Sequence, residues 1–316
     1  MRASHSVLVT GGAGFIGSNL CKRLLDERQT VVCIDSFITG RKQNINNLLT
    51  NERFILIEAD VRNSDIWQHK ALGEIDALFD LASPASVDFV SAHPVHAATT
   101  NSIGLHLALE FAKQKRIRLL FASSSEVYGD PSVHPQKETY WGNVNPVGIR
   151  SGYDEGKRFG EALVTAYNRE FNLETRIARI FNTYGPNSSL TDGRVIPQFV
   201  TAALSGVPVP VHGDGTQTRS FCYVTDLVGG LIKLMDSDIT VPVNLGNPEE
   251  YQIRDVAKKI ISLTKSTSQI KFSKRPSDDP SRRQPDITLA KRSLGWEPKL
   301  GFDDGLKRTI EYFKNQ

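Results

Sequence analysis

The chain has 316 residues, enough to build one large core or two. Hydrophobic residues make up 39% and charged residues 23%, the balance of an ordinary globular protein, and no apolar run is long enough to span a bilayer. A formal net charge of +3 does not call for nucleic acid or an anionic lipid surface as partner, yet it leaves room for a basic cleft around an anionic substrate.

Ser6 to Thr10 reads as a first strand beginning close to Met1, which leaves no space for a cleavable leader. Ile16 to Glu27 reads as the helix that follows. Gly11, Gly14 and Gly17 lie between the two, with Phe15 and Ile16 opening the helix. In that setting the first glycine allows a tight turn and the second lets backbone approach a pyrophosphate. The third permits close helix–strand contact, and the helix N-terminus faces the phosphates. Asp35 ends a second strand, Thr30 to Asp35, eighteen positions beyond Gly17. A carboxylate there accepts from adenosine ribose hydroxyls and repels a 2′-phosphate, so the expected cofactor is NAD rather than NADP. Arg41 and Lys42 read equally as solvated loop charges and as a phosphate or adenine contact.

Phe54 to Asp60, Asp76 to Ala82 and Ile117 to Ser123 read as further strands, and Pro94 to Lys115 and Gly152 to Phe171 as long helices. Strands alternating with helices, capped by another strand at Thr175 to Phe181, predict an α/β fold of Rossmann type, a doubly wound parallel sheet. Positions at the carboxyl ends of strands then become candidates. Asp60 and Val61 would flank the adenine, and Leu81, Ala82 and Ser83 would line the nicotinamide ribose, unless either stretch is a plain turn.

The fifth strand ends in the hydroxyl-rich run Ser123 to Ser125, followed by Glu126. Ser124 is positioned to bond a substrate hydroxyl and relay its proton. Tyr153 and Lys157 lie four apart on the next helix and share a face. The ammonium is expected to lower the phenol's pKa toward neutrality, as a base for an alcohol proton requires. Glu126 reads either as a working carboxylate or as a solvated loop residue.

Past Asn182 the rhythm changes to shorter elements between loops rich in Gly, Pro, Asn and Ser. Helices are expected near Pro197 to Leu204, Asp226 to Met235, Ile253 to Leu263, Leu289 to Leu294 and Asp304 to Lys314, with a strand near Val209 to His212. The division expected is a dinucleotide-binding domain over 1–181, with returning segments near 221–246, and a smaller, partly interleaved substrate domain over 182–316. Cys21, Cys33 and Cys222 sit in apolar surroundings and read as reduced, buried thiols of a cytoplasmic protein. No cysteine pair has ligand spacing and the seven histidines are scattered, so no metal site is expected.

The chain resembles the extended short-chain dehydrogenase/reductases that act on nucleotide sugars, and among them the UDP-glucuronate decarboxylases. The resemblance rests on Ser124-Ser-Glu-Val-Tyr-Gly-Asp130, Tyr140-Trp-Gly-Asn-Val-Asn-Pro146, Tyr153-Asp-Glu-Gly-Lys-Arg158 and Arg179-Ile-Phe-Asn-Thr-Tyr-Gly-Pro186. Further runs are Asp192-Gly-Arg-Val-Ile196, Gly213-Asp-Gly-Thr-Gln-Thr-Arg219 and Asn244-Leu-Gly-Asn-Pro-Glu-Glu250. It implies that Ser124, Tyr153 and Lys157 serve oxidation of the sugar C4 hydroxyl by NAD. It also implies that Glu126 and Arg219 serve loss of carbon dioxide and reprotonation. Ser125, Asn182, Arg194, His212, Arg219 and Arg283 would contact the UDP-sugar substrate, UDP-glucuronate, and a homodimer would form through the Tyr153 helix and the helix from Pro94. Related 4,6-dehydratases carry Asp where this chain has Ser125, which argues against dehydration. Ser86 to His93, Thr99, Asn187-Ser188 and His212 depart from the usual decarboxylase pattern. A nucleotide-sugar 4-epimerase, or a non-catalytic NAD-sensing protein on the same fold, are the competing readings.

Overall fold

A computed structural model describes residues 5–191, 193–274 and 282–316. Asp192, which opens one of the runs above, lies outside the described residues. Strands β1 (Ser6–Thr10), β2 (Thr30–Asp35), β3 (Phe54–Glu58), β4 (Ala77–Asp80), β5 (Arg118–Ser124) and β6 (Thr175–Ile180) alternate with helices. The helices are α1 (Phe15–Asp26), α2 (Val87–Ala92), α3 (Pro94–Thr99), α4 (Leu105–Lys115) and α5 (Ser151–Phe171). The later chain adds short strands β7 (Thr183–Tyr184), β8 (Val209–His212), β9 (Thr218–Ser220) and β10 (Cys222–Tyr223), with helices α6 (Val195–Leu204) and α7 (Val224–Met235). It then runs through β11 (Pro242–Leu245), β12 (Glu250–Gln252), α8 (Ile253–Thr264), β13 (Ile270–Ser273), β14 (Arg282–Arg283), α9 (Thr288–Leu294) and α10 (Phe302–Lys314).

The main sheet has seven parallel strands in the order β11-β6-β5-β4-β1-β2-β3. This is a Rossmann sheet with one added strand, and its order reverses between β1 and β4. Alternation along β1 sends Val7 and Val9 to a core shared with α1 and α7, and Leu8 to a core shared with α4 and α5. Burial on both faces is why these strands are almost wholly apolar.

Helix α2 and the short strands β7, β9, β10, β12, β13 and β14 were not expected, and two further elements depart from expectation. The helix expected over Pro94 to Lys115 is split into α3 and α4 by a π-turn at Thr100–Gly104, which admits one extra residue. The Cβ that any other residue would place at 104 lies 2.8 Å from Val61 Cγ2, so the helix passes tightly over the end of β3. Strand β11 was not expected, because a Pro and an Asn mask a short edge strand. It pairs with β6, and Ile287, Ala290 and Trp296 pack into the core of that side of the sheet. Beyond the return expected near 221–246, the chain comes back to the first core once more, through Ile287, Ala290 and Trp296. A separate core gathers Tyr184, Phe199, Val211, Phe221, Val256, Phe302 and Phe313 from the later elements.

Candidate active site

The carboxyl ends of β1, β4, β5 and β6 open on a cleft of about 660 Å³ that extends beneath α6, β8 and β9. A smaller cavity of about 80 Å³ adjoins it at Gly11, Gly14, Leu81 and Ser83 and reaches Asp35, Asp60, Val61 and Ala82. Every site residue nominated from the sequence lines one of these two spaces. That convergence follows from topology: strand ends at a reversal of strand order diverge and leave a crevice.

Gly11 has φ +69°, and a Cβ there would lie 2.8 Å from the Leu81 carbonyl. A Cβ at Gly17 would lie 2.1 Å from the Gly11 carbonyl oxygen. The first turn of α1 has neither a side-chain cap nor an acidic residue, so its free N–H groups face the cleft. Asp35 accepts from Ala13 N at 2.9 Å and Phe37 N at 2.8 Å, which fixes the carboxylate and leaves lone pairs toward the smaller cavity. Burial raises its pKa. The Ser83 hydroxyl oxygen is buried without a hydrogen-bond partner. An oriented carboxylate, a bare helix N-terminus and an orphaned hydroxyl, lining two adjoining spaces, fit an adenine dinucleotide.

Asp60 is held by Arg62 through Nη2 at 2.6 Å and Nε at 3.0 Å, and that guanidinium also reaches Thr99 Oγ1 and His96 Nδ1. Thr99, one of the departures from the decarboxylase pattern, is thus occupied in bonding the guanidinium that holds Asp60. Arg41 donates to the carbonyls of Asn187 (3.3 Å) and Ser188 (3.1 Å), so it clamps a loop at the cleft rather than standing in solvent.

At the reacting end, Ser124 Oγ accepts from Glu126 N at 3.2 Å and also hydrogen-bonds the Tyr153 hydroxyl. Lys157 is 2% exposed, donates to the Ala122 carbonyl at 2.7 Å and lies 5.8 Å from the Tyr153 ring centroid. Burial pushes its pKa down to about 8, opposed by Asp80 and Glu161. The expectation that Lys157 lowers the Tyr153 pKa is corrected. Burial raises it, opposed by the Ser124 hydrogen bond, with Glu126 raising it further. The physical reason is distance and allegiance: the ammonium is already bonded to a backbone carbonyl.

Glu126 is not a solvated loop residue. Arg283 Nη1 pairs with its Oε1, and Arg150 Nη2 lies 2.9 Å from Oε2. Burial works against its charge, but Arg283, Arg150 and Arg219, in that order, outweigh this and hold the carboxyl below its usual range. Arg283 also donates to the Gly129 carbonyl at 2.8 Å, which turns it to Glu126 rather than to an open diphosphate channel. Arg194 donates to the Ala85 carbonyl at 3.1 Å, and His212 Nδ1 meets Ser273 Oγ at 3.0 Å on the rim. Asn182 and Ser125 line the same cleft. Sequence reasoning missed Arg150 and, behind it, Asp154. A lone arginine in Gly-Ile-Arg carries no pattern; its spacing of four from Asp154 across a helix start was the available signal.

Residues 8–309 match the family described as GDP-mannose 4,6 dehydratase. The chain is 48% identical over 310 residues to UDP-glucuronic acid decarboxylase 1 of Danio rerio, covering 98% of this chain and 73% of that protein. It is 48% identical over 314 residues to UDP-glucuronic acid decarboxylase 6 of Arabidopsis thaliana, covering 99% and 90%. The chain belongs to the UDP-glucuronic acid decarboxylase family of extended short-chain dehydrogenase/reductases. Among solved structures, UDP-glucuronic acid 4-epimerase from Bacillus cereus, in complex with UDP-glucuronic acid and NAD, superposes with a TM-score of 0.88 at 29% identity, covering 98% and 99%. Membership of this family makes NAD the cofactor whose cradle is described above.

Proposed function

We propose that the protein is an NAD-dependent decarboxylase of a nucleotide-linked hexuronic acid, converting UDP-glucuronate to UDP-xylose. The observation that carries this is the Glu126 carboxylate, gripped by Arg283 and Arg150 with Arg219 nearby, in the same cleft as Ser124, Tyr153 and Lys157. An oxidoreductase that only moves a hydride has no use for that second charge cluster.

Gly11, Gly14, Gly17 and the first turn of α1 hold the pyrophosphate, Asp35 the adenosine ribose, and Ser83 and Lys157 the nicotinamide side. Bound there, NAD would supply the acceptor for the C4 hydride and the donor that returns it to the same carbon. Ser124 orients the sugar C4 hydroxyl and passes its proton to the Tyr153 phenolate, a form that the positive charge of a bound nicotinamide, with the Lys157 ammonium behind it, would favour against the burial that raises the phenol's pKa. The ketone so formed is β to the C5 carboxylate, so the C5–carboxyl bond breaks with its electron pair delocalised toward O4. Arg219 offers a cation to that developing charge, and Glu126 handles the C5 proton. Tyr153 returns its proton as C4 is reduced. Arg194, His212 and Asn182 serve the nucleotide diphosphate end.

The division of labour we propose follows the expected domains: residues 1–181 with the returning segments near 221–246 carry the dinucleotide, and the rest of 182–316 carries the sugar nucleotide. We also propose a cytoplasmic homodimer. Three buried, unpaired cysteines support a reducing compartment. The exposed apolar side chains Ile103, Phe159 and Phe171, which lie beside or on α4 and α5, support a helix-on-helix dimer face. No helix among the described residues is long and apolar enough to cross a membrane. Incubation with UDP-glucuronate and NAD, followed by proton NMR, tests the reading. UDP-xylose is the expected product; UDP-galacturonate with no pentose would assign a 4-epimerase instead.

A further inference from the structure

Net decarboxylation consumes a proton. A carboxylate becomes carbon dioxide and a C–H bond, whereas the C4 hydroxyl proton and hydride only leave and return. One proton per turnover must therefore come from outside the substrate. The Glu126 carboxyl is held ionised by its arginines, so it needs a source behind it. Arg150 Nη2 lies 2.9 Å from Glu126 Oε2 and 3.8 Å from Asp154 Oδ1. Asp154 stands in the first turn of α5, next to Tyr153, with its side chain 13% exposed and Oδ1 buried without a hydrogen-bond partner.

We propose that Asp154 stores the proton that each decarboxylation consumes and passes it to Glu126, with which it shares the Arg150 guanidinium. This rests on the decarboxylase reading. Asp154 acts through Glu126 and does not line the cleft, so it is a positioning and proton-supplying residue, not a catalytic one. The C5–carboxyl bond breaks and its electron pair enters the C4–C5 enolate. The Asp154 carboxyl proton moves to the Glu126 carboxylate and thence to C5, where the C–H bond forms. Both carboxyls end ionised, and one proton from water restores Asp154. No oxidant or further reactant is needed.

The charges around Asp154 fit that task. Burial raises its pKa to about 7, assisted by Glu126 and opposed by Arg150 and Arg283, with Glu155 raising it slightly. On α3, which packs against α5, the one titratable side chain is His96, and it is engaged by Arg62 at 3.2 Å. His93, just before α3, packs at a tilt against Phe89, with 4.6 Å between ring centroids. Tyr128, in the turn after β5, is bonded to Asn244 and Arg179. The proton on Asp154 is thus present below about pH 7 and lost above it.

The test uses the NAD-loaded full chain and UDP-glucuronate. Wild type must first release UDP-xylose; if it does not, the decarboxylase reading fails and the inference with it. In Asp154→Asn, the burst of NADH absorbance should persist within about twofold while steady UDP-xylose release falls about tenfold or more. The decline of wild-type kcat as pH rises through about 7 should vanish in the variant, and Asp154→Glu should restore both rate and limb. Wild-type turnover with an unchanged pH profile in Asp154→Asn would overturn the inference alone. So would equal loss of burst and product with the limb unmoved, the signature of a merely structural role.

Discussion

Arg283, at the end of a strand far down the chain, closes an ion pair on Glu126 just past the fifth strand of the main sheet. Arg283 is 2% exposed and its carboxylate partner is 18% exposed at the side chain, so the pair is largely withdrawn from water. The pair therefore ties the later part of the chain to the reacting end of the Rossmann sheet. Arg283→Met should destabilise the fold by about 3 kcal/mol, because it leaves a largely buried carboxylate with Arg150 as its one remaining close partner among the described residues. Combining it with Glu126→Gln should recover part of the loss. Urea denaturation of the two single variants and the double one measures this; additive losses would deny the coupling.

Glu126→Gln and Arg219→His should each stall turnover after the first hydride transfer. NADH absorbance would build up and UDP-xylose release would fall by about a hundredfold or more. Stopped-flow absorbance with product analysis separates this from a loss of binding. Wild-type product formation in both variants would remove the two residues from the chemistry.

Gly40→Ala should weaken NAD binding without touching the reacting groups. A Cβ at position 40 would lie 2.5 Å from Asp35 Oδ1, so the carboxylate must swing away from the hydroxyls it is oriented to accept from. A Kd for NAD raised about tenfold is expected, the value of one lost hydrogen bond to a charged group. Asp35→Asn should do the same and narrow the preference against NADP. Isothermal titration with both dinucleotides reads both effects.

The burst of C4 oxidation should weaken as pH rises through about 8. The buried Lys157 ammonium has its pKa lowered to about that value, so its cationic form is complete below pH 8 and lost above. Lys157→Met should abolish the burst at every pH. A burst that grows steadily from pH 7 to 10 would show that the charge on Lys157 is not used.

Much of this was legible beforehand. The glycines at 11, 14 and 17 and the strand-ending Asp35, Asp60 and Ser124 announce themselves, because a parallel sheet forces its functional groups to strand ends. What stayed hidden depends on distance in the chain. Arg150 and Arg283 meet at Glu126 from positions 24 and 157 residues downstream of it, and no local periodicity reports that. The edge strand Pro242–Leu245 is short and carries Pro and Asn, so only its pairing with Thr175–Ile180 makes it a strand. The tie of Lys157 to the Ala122 carbonyl likewise could not be read from a spacing of four.

The central claim is that one cofactor takes the C4 hydrogen and returns it to the same carbon while carbon dioxide departs from C5. The direct measurement is turnover of UDP-glucuronate carrying deuterium at C4, in ordinary water, with products read by NMR and mass spectrometry. The account predicts UDP-xylose that retains the label at C4 and carries a solvent-derived hydrogen at C5. Loss of the C4 label to solvent, or labelled UDP-galacturonate with no pentose, would contradict it.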